Sequence, residues 1–192
     1  MKYLDLVNLY QSLETTTKRL EKTHFIAEFL KKTAVEDLPK ITLLLQGKIF
    51  PAWDERKLGV AARMILKAVN VATGIPVNKI ESEWKKIGDL GKVAETLVEK
   101  KKQITLLKID LTVIKVFNNL RKLPELEGIG AVDKKIQLIA ELLTSAKPIE
   151  ARYIVRTVLE ELRVGVAAGT LRDAIVWAFF SDKINEFQKD KS

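Results

Sequence analysis

Two short turns have the residue types and spacing for chemistry, and that chemistry is anion binding rather than bond making. Lys57-Leu58-Gly59-Val60-Ala61-Ala62 returns as Arg163-Val164-Gly165-Val166-Ala167-Ala168, 106 positions later. Each copy runs cation, apolar residue, glycine, small residues. Each leads into an apolar-periodic segment, where Ile65, Ala68 and Val69 match Leu171, Ala174 and Ile175. A glycine and small residues at a helix start leave backbone N–H groups open to approach, and those groups attract anions. Two such elements in a chain of formal charge +8 suit a phosphate-rich partner with near two-fold symmetry of its own. Duplex DNA is such a partner.

Covalent chemistry has little to work with. His24 is the single histidine, and there is no cysteine, so a His-based metal cluster, a thiolate site and a disulfide are all excluded. No phosphate-loop spacing and no Lys-x-Asp-Gly occurs, and carboxylate pairs such as Glu160-Glu161 suit a solvated helix face. No catalytic or metal-ligating residue is assigned. The basic residues are more organised. Lys18-Arg19 follow Thr15-Thr16-Thr17 at a helix start, and Lys134-Lys135 follow Asp133 in a similar place. Cations there oppose the helix dipole, which suits a phosphate better than it suits the helix. Lys100-Lys101-Lys102-Gln103 is the densest positive run. Trp53, Trp84 and Trp177 are expected to pack rather than to stack on bases.

These residues need scaffolding, and the apolar pattern supplies helices nearly throughout. Leu4, Val7, Tyr10 and Leu13 form a first stripe. The threonine run offers a cap for a second helix to about Lys32, with Leu20, Ala27 and Leu30 on its face. Pro39 opens a third helix that Gly47 ends, and a fourth runs from about Ala61 to Gly74. Gly88 and Gly91 are expected to break the chain around Asp89-Leu90. Thr112 caps the helix of Ile114 and Phe117, Gly128 and Gly130 mark a loop, Pro148 opens a helix to near Leu162, and Thr170 caps the last. No alternating strand appears, so the fold class is all-α, with about ten or more helices.

The repeat extends beyond the turns. Ile26-Ala27-Glu28-Phe29-Leu30 echoes Ile139-Ala140-Glu141-Leu142-Leu143 at an offset of 113, and Leu4, Val7, Tyr10 and Leu13 echo Leu111, Ile114, Phe117 and Leu120 at 107. The drop from 113 to 106 places seven extra residues in the first copy, around Phe50-Pro51-Ala52-Trp53-Asp54. The expected organisation is one domain over 1–192: a lobe over 1–76, a charged bridge over 77–108, a pseudo-symmetric lobe over 109–181 and a tail over 182–192. Hydrophobic residues at 47% suffice for a core, and no apolar run approaches the about 18–20 residues that span a bilayer. Charged residues at 30%, rich in Lys and Glu, lean towards a thermophile.

The chain resembles the N-terminal DNA-binding domain of archaeal and eukaryotic ATP-dependent DNA ligases, the archaeal branch above all. The resemblance is carried by Leu13-Glu14-Thr15-Thr16-Thr17-Lys18-Arg19-Leu20, by Phe50-Pro51-Ala52-Trp53-Asp54-Glu55-Arg56-Lys57-Leu58-Gly59-Val60 and by Gly88-Asp89-Leu90-Gly91. Glu150-Ala151-Arg152-Tyr153-Ile154-Val155-Arg156 adds to it. Most specific is Leu162-Arg163-Val164-Gly165-Val166-Ala167 leading into Leu171-Arg172-Asp173-Ala174. It implies sequence-independent binding of nicked double-stranded DNA across the minor groove, to position substrate for a ligase in replication, repair and recombination. The implied contacts are Thr17, Lys18, Arg19, Gly59, Val60, Lys100, Lys101, Lys102, Gln103, Lys134, Lys135, Arg163, Gly165 and Ala167. Glu150, Arg152 and Arg156 are expected to form internal ion pairs.

The resemblance also implies that ATP and Mg²⁺ serve the parent ligase through adenylation and OB-fold domains downstream, with no cofactor in this chain. The DNA-binding domain of that family runs past the position of Ser192, so a truncated chain is expected, cytoplasmic and associated with the nucleoid. A sliding-clamp motif of the archaeal enzymes, a glutamine followed at the third and fourth positions by two aromatics, corresponds to Gln103, Leu106 and Leu107. Leucines stand where the aromatics would, and they serve either the clamp or the core. The competing reading of the whole chain is a helical-repeat scaffold for protein partners, with no membrane role in either case.

Overall fold

The computed structural model describes residues 1–100 and 110–180, and among them the chain is all-α, with ten α-helices and two single turns of 3-10 helix. In chain order the helices are α1 (Tyr3–Glu14), α2 (Arg19–Lys31), α3 (Leu38–Leu45), α4 (Ala62–Thr73) and α5 (Val77–Ile87), then α6 (Leu90–Glu99), α7 (Val113–Arg121), α8 (Ala131–Ser145), α9 (Pro148–Val158) and α10 (Ala168–Phe179). Their limits follow local chemistry. Gly74 and Gly88 end α4 and α5 in the left-handed conformation, where glycine has no Cβ to clash. Thr112 caps α7 by accepting from the Lys115 N–H, and Asp89 caps α6 by accepting from Lys92. One core links all of this, with Tyr3, Leu6, Tyr10, Ile65, Ile139 and Ile154 fully buried.

The helices of the two halves interlock. α4 packs on α8, and α10 packs on α2; likewise α1 meets α9 while α3 meets α7. The fourth helix of each half therefore covers the second helix of the other. At the centre, Tyr3 N–H donates to the Leu111 carbonyl at 2.8 Å and Val113 N–H donates to that of Met1 at 3.2 Å. This isolated bridge pairs Lys2 with Thr112. The register it sets is 112 − 2 = 110, not the 107 expected for these helices. Burial agrees: Tyr3, Leu6, Val7 and Tyr10 match Val113, Val116, Phe117 and Leu120, all buried, while Ile114 is 43% exposed.

Other expectations need correction. Gly91 does not break the chain: it lies inside α6, the helix in most extensive contact with α9. A Cβ on Gly91 would sit 2.7 Å from the Arg152 carbonyl oxygen and 2.8 Å from Arg156 Cγ, so this glycine exists for close helix approach. The region over 77–108 accordingly includes two packed helices, one of them largely buried. Helix α9 stops at Val158, short of Leu162, because Glu160 and Arg163 adopt φ of 58° and 60° and turn the chain. Thr170 is buried in the first turn of α10 and caps nothing; the cap position is Ala167. Leu20 is 68% exposed, because the first turn of α2 reaches beyond the core. Trp53 is 82% exposed on the loop between α3 and α4. It is not a packing residue.

Candidate nucleic-acid interface

Both glycine turns open helices that lack the usual protection. Gly59 precedes α4 with φ +62°, and Gly165 precedes α10 with φ +65°. Neither helix has a side-chain cap, and neither has an acid in its first turn. The first N–H groups of a helix have no partner within it, and among the described residues no carboxylate or hydroxyl compensates. Gly59, Ala61, Gly165 and Ala167 are all exposed. A positive, sterically open backbone results, which suits phosphate oxygens.

The exchange of helices brings the expected residues together in two groups. In one, Lys135 of α8 lies under the Gly59 turn, its amine donating to the Leu58 carbonyl at 3.4 Å. Val60 is half-buried beside it, and Lys134 is exposed on the next position of α8. In the other, Arg163, Gly165 and Ala167 lead into α10, and Arg19 reaches across from α2. The Arg19 guanidinium pairs with Asp173 at 2.5 Å and comes within 3.4 Å of where a Cβ on Gly169 would stand.

Several cations carry a carboxylate partner. Lys18 pairs with Glu21 at 2.8 Å, and the hydrogen bonds from Lys18 and Thr16 hold the Glu21 carboxyl below its ordinary range. Arg163 meets Glu161 at 2.5 Å and Asp89 at 3.6 Å. The Lys18–Glu21 and Arg163–Glu161 pairs are exposed, and such pairs are weak and exchange readily for a phosphate. Thr17 is exposed, and Thr16 is the threonine that organises the start of α2: it accepts from Lys18 N–H and donates to Glu21. Lys100 is exposed at the end of α6. Lys101, Lys102, Gln103, Leu106 and Leu107 lie outside the described residues.

Internal ion pairs hold the scaffold behind these turns. Arg156, buried, bonds Asp89 at 2.7 Å and also reaches Glu14, while Arg152 bonds Glu95 at 2.6 Å. Glu150 departs from expectation. It accepts from the Lys147 N–H at the start of α9 and forms no ion pair among the described residues, and burial pushes its carboxyl upward.

Sequence reasoning missed Lys22. Its amine, on the buried side of α2, donates to the Val164 carbonyl at 2.6 Å and lies 3.4 Å from that of Gly165. It is the counterpart of Lys135, since 22 + 113 = 135 and 58 + 106 = 164. The signal was in the chain: the 113 offset that aligns Ile26 with Ile139 aligns these lysines too. Lys18-Arg19 and Lys134-Lys135, which look equivalent by composition, are not equivalent positions.

An all-helical basic domain with paired, uncapped helix starts is a class defined by what it leaves open on its surface. Comparison with known proteins narrows that class to a family. Residues 2–176 match the family model described as "DNA ligase N terminus", and the chain belongs to this family. It is 47% identical over 180 residues to a DNA ligase of Methanothermobacter thermautotrophicus, covering 94% of this chain and 32% of that protein. A Thermococcus fumicolans DNA ligase is 46% identical over 179 residues, covering 93% and 32%, and one of Nanoarchaeum equitans is 47% identical over 180, covering 93% and 31%. The chain thus spans about a third of the length of these relatives.

Proposed function

We propose that this chain binds nicked double-stranded DNA without regard to base sequence, gripping the backbone across the minor groove, and so positions substrate for an ATP-dependent DNA ligase in replication and repair. The observation that carries this is the pair of uncapped, acid-free helix starts at Gly59 and Gly165, each over a lysine of the opposite half. Backbone N–H groups read phosphates, not bases, so indifference to sequence follows. The two lobes, over 1–76 and 109–181, serve as two similar grips on a duplex whose strands are themselves related by two-fold axes. Thr17, Lys18, Arg19, Lys134, Lys135 and Arg163 add charge to them. The run from Lys100 to Gln103 contributes further cations, and Gln103 with Leu106 and Leu107 forms the candidate contact to a sliding clamp.

ATP and Mg²⁺ do not fit the described residues. No group of three His, Cys, Asp or Glu side chains gathers there, and the open N–H groups lie on exposed helix starts rather than in an enclosed nucleotide pocket. Among the described residues no helix is long and apolar enough to cross a membrane.

The test is a competition titration of the chain against labelled nicked duplex, using intact duplex, single strands and scrambled sequences as competitors. Nicked and intact duplexes should compete well, single strands poorly, and scrambled duplexes should agree within about tenfold, ~1.4 kcal/mol. A larger spread among scrambled duplexes contradicts the reading. No competition from any nucleic acid favours the protein-interaction scaffold.

A further inference from the structure

We infer that Lys22 is a positioning residue for the α10 grip on a DNA phosphate, with Lys135 in the same role for α4. The inference deepens the DNA-binding reading and rests on it. Lys22 is 8% exposed, and a buried ammonium ordinarily requires an acid beside it. Among the described residues no carboxylate lies within ion-pair distance of Lys22. Its partners are the Val164 and Gly165 carbonyls, and its amine lies 2.7 Å from where a Cβ on Gly165 would stand.

That placement fixes the direction of two peptide planes. In a trans peptide the C=O and the following N–H point opposite ways. Carbonyls of Val164 and Gly165 drawn inward to the amine therefore turn the N–H groups of Gly165 and Val166 away from it, and neither has a hydrogen-bond acceptor among the described residues. The Leu58 carbonyl, held by Lys135, does the same for the N–H of Gly59. The amine also adds positive charge beneath a helix start that is already positive. This opposes the stability of the free protein and favours an anion on the outer side. A lysine placed only for packing gains nothing from a pseudo-symmetric copy under the second turn, whereas two phosphate grips require one each.

The experiment titrates nicked duplex with the full chain at several salt concentrations and records thermal melts, comparing wild type with Lys22→Met, Lys22→Arg and Lys135→Met. Lys22→Met keeps the aliphatic stem and removes the charge. It should weaken binding about tenfold and lower the slope of log K against log salt by about one, as for one lost phosphate contact. Lys22→Arg should recover part of both, and Lys135→Met should behave as Lys22→Met does. A Lys22→Met protein that melts lower yet binds with wild-type affinity and slope overturns the inference. Should Lys22→Met fail to fold, the half-buried Lys135→Met decides: an unchanged slope overturns the pairing. Wild-type protein that does not bind duplex overturns the DNA reading itself, whereas wild-type binding with unaltered variants overturns this inference alone.

Discussion

At the residue scale, a glycine at φ near +60° combines two roles, since any side chain there is strained and its Cβ would press on the lysine amine beneath the turn, 2.7 Å away at Gly165 and 3.1 Å at Gly59. Gly59→Val and Gly165→Val should each cost about 1–2 kcal/mol of stability through the left-handed backbone. The added cost is displacement of the Lys22 or Lys135 amine that the new Cβ would meet, rather than lost apolar packing. DNA affinity should fall further, by more than about tenfold (~1.4 kcal/mol). Melting temperature and affinity measured together decide the matter; variants that melt lower and bind normally would make these glycines structural. A second residue-scale prediction concerns Asp89. Burial works against its ionised form, but hydrogen bonds from Arg156 and the Lys92 N–H outweigh burial and hold the carboxyl below its ordinary range. The folded state thus binds the proton less tightly than the unfolded chain. The stabilisation is complete above the unfolded value of about 3.9 and is lost as pH falls through the lower folded one. Thermal melts from pH 6 to pH 2 should show a steeper acid loss for wild type than for Asp89→Asn. Equal slopes would remove Asp89 from the stabilising network. The Asp89–Arg156 pairing was not legible in the sequence, because the partners lie 67 positions apart, whereas Lys22 was marked only by the offset that aligns it with Lys135.

At the element scale, the helices themselves were legible, since capping residues and glycine stops act locally: Thr112, Pro39, Gly74 and Gly88 all lie where their chemistry places them. Packing partners were not. Gly91 looks like a helix breaker in a one-dimensional reading, and only the α6–α9 approach reveals its use. Gly91→Ala should therefore destabilise the fold by about 1–3 kcal/mol, as overpacking of a close contact does, and lower the melting temperature by about 2–4 °C per kcal/mol. The folded fraction should still bind DNA with wild-type affinity. An unaltered melt would show that the two helices separate at no cost. The register of α1 against α7 was misread for a similar reason. Apolar positions recur every three or four residues, so an offset of 107 or 110 satisfies the same stripe, and the Lys2–Thr112 bridge makes the choice.

At the scale of the whole molecule, the sequence suggested a repeated order of helices, but not which helices pack together, because nothing local says that α4 must cover α8 and α10 must cover α2. The exchange sets each glycine turn over a lysine from the opposite half, so the two proposed grips depend on one shared core. Positioning and chemistry should then be separable. Incubated with labelled ATP and Mg²⁺, the chain should show no covalent label on denaturing electrophoresis, yet it should compete with a full-length ligase for nicked substrate and slow ligation. A labelled band would make one of its lysines a nucleophile. Most direct for the central claim is the salt dependence of binding to a nicked duplex. Each neutralised phosphate contributes about −0.9 to the slope of log K against log salt. Two backbone grips with their cations predict a steep slope, on the order of four or more phosphates, identical for scrambled sequences. A flat slope, or one that changes with base sequence, would contradict it.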